Sequence, residues 1–181
     1  MEIFPLTTER LMLRRFTQRD LPIFSDYRNK PEVARHQSWS SFSAEDAAAF
    51  FEQQHELAFD TDDTWFQIAV ERKEDAVLAG DVAVYFFDGG RQAEIGVTFD
   101  STCQRQGYAT EALSRVIDVL FNDCKKHRIV ATVDARNDSV VRLLEKQGFR
   151  REGHYRENIF FKGAWSDEYS FALLEHERRA G

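Results

Sequence analysis

The stretch Gln104-Arg105-Gln106-Gly107-Tyr108-Ala109 stands between a strand-like run and the start of an amphipathic run. Small residues at Gly107 and Ala109 let the backbone come close to a ligand. The first N–H groups of a helix have no partners within it, and the helix dipole favours negative charge there. That combination suits a pyrophosphate. The spacing alone does not name the ligand. A dinucleotide fingerprint needs three spaced glycines and a P-loop needs Gly-Lys-Ser/Thr, and neither is present. A phosphate site and a merely tight helix start both remain open. Cys103 and Cys124 are in no recognisable nucleophile–base arrangement. They also lack metal-ligand spacing with the histidines at 36, 55, 127, 154 and 176, so no metal site is expected.

The bulk numbers narrow the class. A chain of 181 residues fits one domain with a substantial core, expected to span residues 1–181. Its 43% apolar and 30% charged residues describe a soluble globular protein. No apolar run approaches the roughly 20 residues of a membrane helix, and Met1 to Pro5 do not begin a secretory signal. A cytoplasmic protein without a membrane partner is expected. The formal net charge of −7 argues against a nucleic-acid partner, which needs a surplus of Lys and Arg. It is compatible with a cationic substrate such as an amine.

The elements that must position the loop follow from periodicity. Thr8 to Phe16 alternates as a first strand, and Thr17 with Asp20 signals a helix through about Asn29, ended by Lys30-Pro31. Ser43 with Asp46 repeats that signal before a helix over Ala47 to Phe59. Thr64 to Arg72, Ala76 to Phe87 and Gln92 to Phe99 read as neighbouring antiparallel strands with a turn at Asp88-Gly89-Gly90. Tyr108 to Asn122 is an amphipathic helix, Ile129 to Val133 a strand, and Ser139 to Gln147 a helix closed by Gly148. Phe149 to Phe161 and Trp165 to Leu174 form a terminal hairpin turning at Lys162-Gly163. The expected class is mixed α/β (α+β), without the regular βαβ alternation of a doubly wound sheet.

Glu94-Ile95-Gly96-Val97 and then Gln104-x-x-Gly107-x-Ala109-Thr110-Glu111-Ala112 resemble the acetyl-CoA motif of the GNAT acetyltransferases, Gln/Arg-x-x-Gly-x-Gly/Ala. Asn137 followed by Leu143-Leu144-Glu145-Lys146-Gln147-Gly148-Phe149 resembles that family's second motif. Thr8-Glu9-Arg10-Leu11-x-Leu13-Arg14 and Trp165-x-Asp167 are similar to the branch of ribosomal-protein alanine N-acetyltransferases, the RimJ/RimL type. The resemblance implies an acyl-CoA N-acyltransferase fold. That is a mostly antiparallel twisted sheet with flanking helices, splayed between its fourth and fifth strands, Gln92 to Phe99 and Ile129 to Val133. It implies acetyl-CoA as cosubstrate. The pantetheine would meet the strand edge near Val97 and Phe99 and the amide of Asn137. Gln104, Arg105, Gln106, Gly107, Tyr108, Ala109 and Thr110 would hold the pyrophosphate. This chain departs from the pattern at Arg105, where glycine is common, and at Val140, where the branch carries serine; Ser139 lies one residue early.

The implied reaction is direct attack of a neutral amine on the thioester, in a ternary complex. Glu94 is the candidate base, with a solvated-face glutamate as the alternative. Tyr155 is a candidate acid for the leaving thiolate, with an exposed strand tyrosine as its alternative, and Ser139 is a second. Glu111 reads as a first-turn charge matched to the dipole. Lys125 to Arg128 has two readings, a helix C-terminal cluster and a contact for the 3′-phosphate. Trp65 reads as core, and the loop Gln37 to Ser40 as the acceptor-site segment. The acceptor expected is a protein N-terminus, with a small amine such as an aminoglycoside or polyamine as the alternative, and a non-catalytic acyl-CoA-binding module as a third reading. Monomer and homodimer are both compatible, the latter through the terminal hairpin.

Overall fold

The computed structural model describes residues 3–178. One eight-stranded sheet runs in the order β1-β2-β3-β4-β5-β6-β8-β7, from β1 (Leu6–Thr7) and β2 (Leu11–Arg14) through β3 (Thr64–Arg72), β4 (Leu78–Phe87) and β5 (Gln92–Phe99). The other half holds β6 (Arg128–Asp134), β7 (Arg150–Phe161) and β8 (Ala164–Leu174). Every pairing is antiparallel except β5 with β6. A parallel pair needs a long crossover, and α4 (Tyr108–Asn122) supplies it.

Alternation in the strands assigns the two faces of the sheet. Phe66, Ile68, Val82, Val84, Phe86, Ala93 and Ile95 point to one face, where α4 buries Leu113, Val116, Ile117 and Leu120 against them. On the other face α1 (Leu21–Asn29), α2 (Pro31–Ala34) and α3 (Ala44–Gln54) enclose a second, smaller cluster around Phe16, Phe24 and Tyr27. Its rings interlock, with Phe24 centroids 4.8 Å from Phe16 and 4.6 Å from Phe50. Beneath them Asp81 lies fully buried, accepting from Tyr27 Oη and Gln67 Nε2 with Arg28 3.6 Å away. Among the described residues no helix is long and apolar enough to cross a membrane.

Several boundaries differ from expectation for physical reasons. The run Thr8 to Phe16 is not one strand. Thr8 accepts the Leu11 N–H in a turn, so only Leu11–Arg14 of it is strand (β2), and the turn joins β2 to β1 at Leu6–Thr7 before it. Thr17 and Asp20 cap a 3-10 turn, and α1 starts only at Leu21. Lys30-Pro31 does end α1 at Asn29, and Pro31 then opens the unexpected short α2, as a proline without an N–H can at a first helical position. Ser43 starts α3 at Ala44, and the helix ends at Gln54 because Leu57 and Phe59 leave it to pack on the main core. The last helix, α5 (Asp138–Lys146), begins one residue early because Asn137 is its cap.

Candidate functional site

The parallel pairing of β5 with β6 lasts only three rungs, Gln92 with Arg128 to Glu94 with Val130. Beyond Glu94 the two strands part. The β6-facing edge of β5 from Ile95 to Phe99 is left without a strand partner. A buried strand edge holds N–H and C=O groups that need partners, and an extended, amide-bearing chain can supply them.

The loop after β5 carries the next part. Gly107 caps α4 in the left-handed region, φ 84°, and offers no side chain to the helix. The N–H groups of Gly107, Tyr108, Ala109 and Thr110 donate to no protein acceptor among the described residues. A left-handed residue followed by right-handed ones turns successive N–H groups into a concave, anion-binding arc. The loop is braced from behind. Gln104 Nε2 donates to the Phe99 carbonyl at 3.0 Å, Gln106 Nε2 to Thr102 at 2.7 Å, and Arg10 Nη1 to the Gln106 carbonyl at 2.9 Å. Glu111 accepts from Thr8 Oγ1, Arg10 N and Arg10 Nε at 2.5, 2.8 and 2.7 Å, which clamps the β1–β2 turn to the first turn of α4. Its role is bracing as much as dipole compensation.

Two cavities meet at this splay. One of about 450 Å³ runs along the loop and is lined by Val97, Phe99, Gln104, Arg105, Gly107 to Thr110, Asn137 and Ser139. Of the expected donor-binding residues only Gln106 is missing from that wall. The second, about 310 Å³, on the side assigned to the acceptor, is lined by Trp65, Thr132, Asp134, Ile159 and Glu168 together with Ile95 and Leu113 of the α4 face. Five residues line both: His36, Gln37, Val97, Asn137 and Val140. The Asn137 Oδ1 is engaged, accepting from Ser139 Oγ at 2.9 Å and Val140 N at 3.4 Å, while its Nδ2 donates to no described residue.

The candidate catalytic groups divide. Glu94 sits on the last paired rung, on the acceptor-side face, next to Tyr85 and Val130. Burial pushes its carboxyl above the usual carboxylate range, the Glu168 charge adds to this, and hydrogen bonding from Thr132 opposes it. Thr132 in turn lines the acceptor-side cavity. Ser139 spends its hydroxyl on the helix cap, and Val140 takes the wall position at the junction. Tyr155 lies on the edge strand β7 opposite Glu168, 49% exposed, and lines neither cavity.

Three other expectations change. Trp65 is not core: it is 45% exposed, lines the acceptor-side cavity and meets Tyr85 at 5.2 Å. Trp39, by contrast, is occupied, with Arg28 4.0 Å over its ring and its Nε1 on the Arg28 carbonyl; Gln37 and Ser38 of the same loop do face the cavity. The cluster Lys125 to Arg128 sits at the far end of α4 from the loop. Lys126 is buried on Asp60 and the Gly90 carbonyl, and Arg128 pairs with Glu152, so neither is a phosphate contact. Sequence reasoning missed His36, Asp134 and Glu168, whose only signal was their nearness to loops and strand ends.

A sheet split between two parallel strands, with the free N–H groups of a helix N-terminus beside the split, is an arrangement with room for an extended anionic ligand. Comparison with known proteins gives that arrangement its name. The model of the acetyltransferase (GNAT) domain matches residues 10–150, and the chain belongs to that family. It is similar to the uncharacterized N-acetyltransferase YnaD of Bacillus subtilis, 31% identical over 172 residues, covering 95% of this chain and 98% of that one. A GNAT-family acetyltransferase from Bacillus anthracis superposes with a TM-score of 0.87 at 29% identity, covering 96% of this chain and all of that one. Spermidine N-acetyltransferase from Vibrio cholerae, solved with CoA and spermine, shares the fold at a TM-score of 0.82 and 23% identity over 94% of this chain and 98% of that one. The chain is thus an acetyl-CoA-dependent N-acetyltransferase with the splayed GNAT sheet. The residues present fit the donor: the unpaired β5 edge, the free Asn137 Nδ2 and the unpaired N–H groups at the α4 N-terminus line one cleft.

Proposed function

We propose that this enzyme acetylates the N-terminal α-amine of a protein or peptide, in the manner of the RimJ/RimL type. The observation that carries the reading is the meeting of the two cavities at Val97, Asn137 and Val140. There a thioester held from the donor side is open to a nucleophile from the other. Val97 would meet the pantetheine; the Phe99 carbonyl already accepts from Gln104, which leaves it less to offer. The N–H groups from Gly107 to Thr110 would hold the pyrophosphate, with Arg105 on the same wall.

Only a neutral amine attacks. An α-amine near pKa 7.8 is about one-seventh neutral at pH 7, whereas a lysine near 10.4 is less than about 0.1% neutral, a gap of roughly 3.5 kcal/mol. Glu94, half-buried on the last β5–β6 rung and lining neither cavity, reaches them through Thr132, which lines the second, and takes the proton of the incoming ammonium by way of water there. Its raised pKa makes it a better match for that task than an ordinary glutamate. Tyr155 would need to move from the exposed edge to protonate the thiolate, and Ser139 would need to leave its cap.

A small polyamine is the second reading. Asp134 and Glu168 line the acceptor-side cavity beside the Trp65 ring, a setting suited to a multiply charged cation. Thiol release from acetyl-CoA separates the readings. Peptides beginning with Ala or Ser should turn over with higher kcat/KM than spermidine. The opposite order would replace the first reading with the second.

A further inference from the structure

The junction of the two cavities contains one ionisable side chain. Val97, Asn137, Val140 and Gln37 carry no titratable group; His36, in the turn after α2, does. Its Nδ1 is buried and hydrogen-bonds to nothing, and it lies 3.7 Å from Asp134 Oδ2. That distance is just beyond a hydrogen bond, and such contacts often tighten when substrate binds. Asp134 itself is locked. Arg136 donates to it from Nε at 2.9 Å and Nη2 at 2.6 Å, its backbone N–H adds a third bond at 2.8 Å, and Ser166 Oγ stands at 3.3 Å. The Arg136 bonds hold the carboxyl down to about 2, against the smaller effect of burial, so it is a fixed negative charge at neutral pH. A carboxylate beside Nδ1 selects the tautomer with the proton on that nitrogen, which leaves the Nε2 lone pair available. Nε2 is bonded to no described residue and is not buried, and the His36 side chain lines both cavities.

We infer that His36, positioned by Asp134, carries the second proton of the reaction from the attacking nitrogen to the leaving sulfur. This rests on the acetyl-transfer reading above and adds a group that the reading lacks. The first proton, from the ammonium, belongs to Glu94. The neutral amine then bonds to the thioester carbon and the carbonyl oxygen takes up the negative charge. His36 Nε2 accepts a proton from the now cationic nitrogen. The oxyanion collapses, the C–S bond breaks with its electron pair on sulfur, and Nε2–H protonates the thiolate. Amide and CoA thiol leave, and the imidazole is neutral again. Around the ring the charged lining groups are Glu32, Arg105, Arg142 and Lys146 on the donor side, with Asp134 and Glu168 on the acceptor side.

The test compares the parent, His36→Gln and His36→Ala for thiol release from acetyl-CoA over Ala- and Ser-initial peptides and spermidine, with CoA affinity from calorimetry. Loss of a general acid–base group should lower kcat about 10²- to 10⁴-fold, with CoA Kd within about twofold of the parent. Added imidazole should return at least about tenfold of the lost rate to His36→Ala, which no purely structural role would allow. Asp134→Asn should show a smaller kcat loss. Either variant retaining kcat within about threefold of the parent overturns the inference, as does a loss that imidazole leaves untouched while CoA uptake weakens. A parent that releases no thiol with any acceptor sinks the transfer reading itself, a result distinct from an active parent and equally active variants.

Discussion

Gly107→Glu places two separable perturbations on the donor loop. The backbone at 107 has φ 84°, and a Cβ there would lie 3.2 Å from Arg10 Nη2, whose guanidinium is tied to Glu111 and to the Gln106 carbonyl. An L-residue in the left-handed region costs about 1–2 kcal/mol. At roughly 2–4 °C per kcal/mol for a chain of this size, the melting temperature should fall about 2–8 °C. The second effect is electrostatic. A carboxylate about 5 Å from one pyrophosphate charge repels it by roughly 3 kcal/mol at an effective dielectric near 20, and by about 0.8 kcal/mol in bulk water. CoA Kd should therefore rise between about fourfold and about 10²-fold. Gly107→Asn is the control. Asparagine tolerates the left-handed region and adds no charge, so its Kd should stay within about threefold of the parent. Calorimetry with CoA and a thermal melt of all three proteins measure both quantities. Equal CoA uptake by the parent and Gly107→Glu would refute the placement of the diphosphate on the α4 N-terminus.

Glu94→Gln should lower kcat at least about 10²-fold while leaving CoA affinity unchanged. Because burial raises the Glu94 carboxyl, and the base works only when ionised, the parent rate should decline on acidification at a higher pH than an ordinary glutamate would give. Glu94→Gln should lose that limb of the profile; a retained limb assigns it elsewhere. Gly80→Ala should destabilise by about 1–3 kcal/mol in urea, since the new Cβ meets Thr98 O at 2.4 Å and Phe99 Cα at 2.8 Å. It should also weaken CoA binding, because those atoms belong to the donor edge; an unchanged midpoint would show that β4 and β5 are not packed as described. Asp81→Ala leaves Arg28 buried without its carboxylate and should cost about 3–5 kcal/mol by denaturant titration, with CoA binding retained in the folded fraction.

Local chemistry sufficed for much of this protein. The Gln104 to Ala109 loop, the apolar stripe of α4, the three antiparallel strands and the Asn137 motif are written in neighbouring residues, since helix starts, turns and alternation are short-range effects. The resemblance of that loop to the GNAT acetyl-CoA motif was therefore legible in the sequence itself. What tertiary structure alone decided is the junction. His36 and Asp134 are 98 positions apart, and they meet only because β5 and β6 separate after Glu94, where the pairing with Val130 ends. Trp65, large and apolar, reads as core, yet it shares its strand parity with Gln67 rather than with Phe66 and Ile68, and its exposed ring lines the second cavity. Lys126 reads as part of a helix C-terminal cluster or a phosphate contact and is instead buried, because the turn at Gly90 and the side chain of Asp60 come round to meet it. Periodicity tells which way a side chain points; only the assembled sheet determines what waits there.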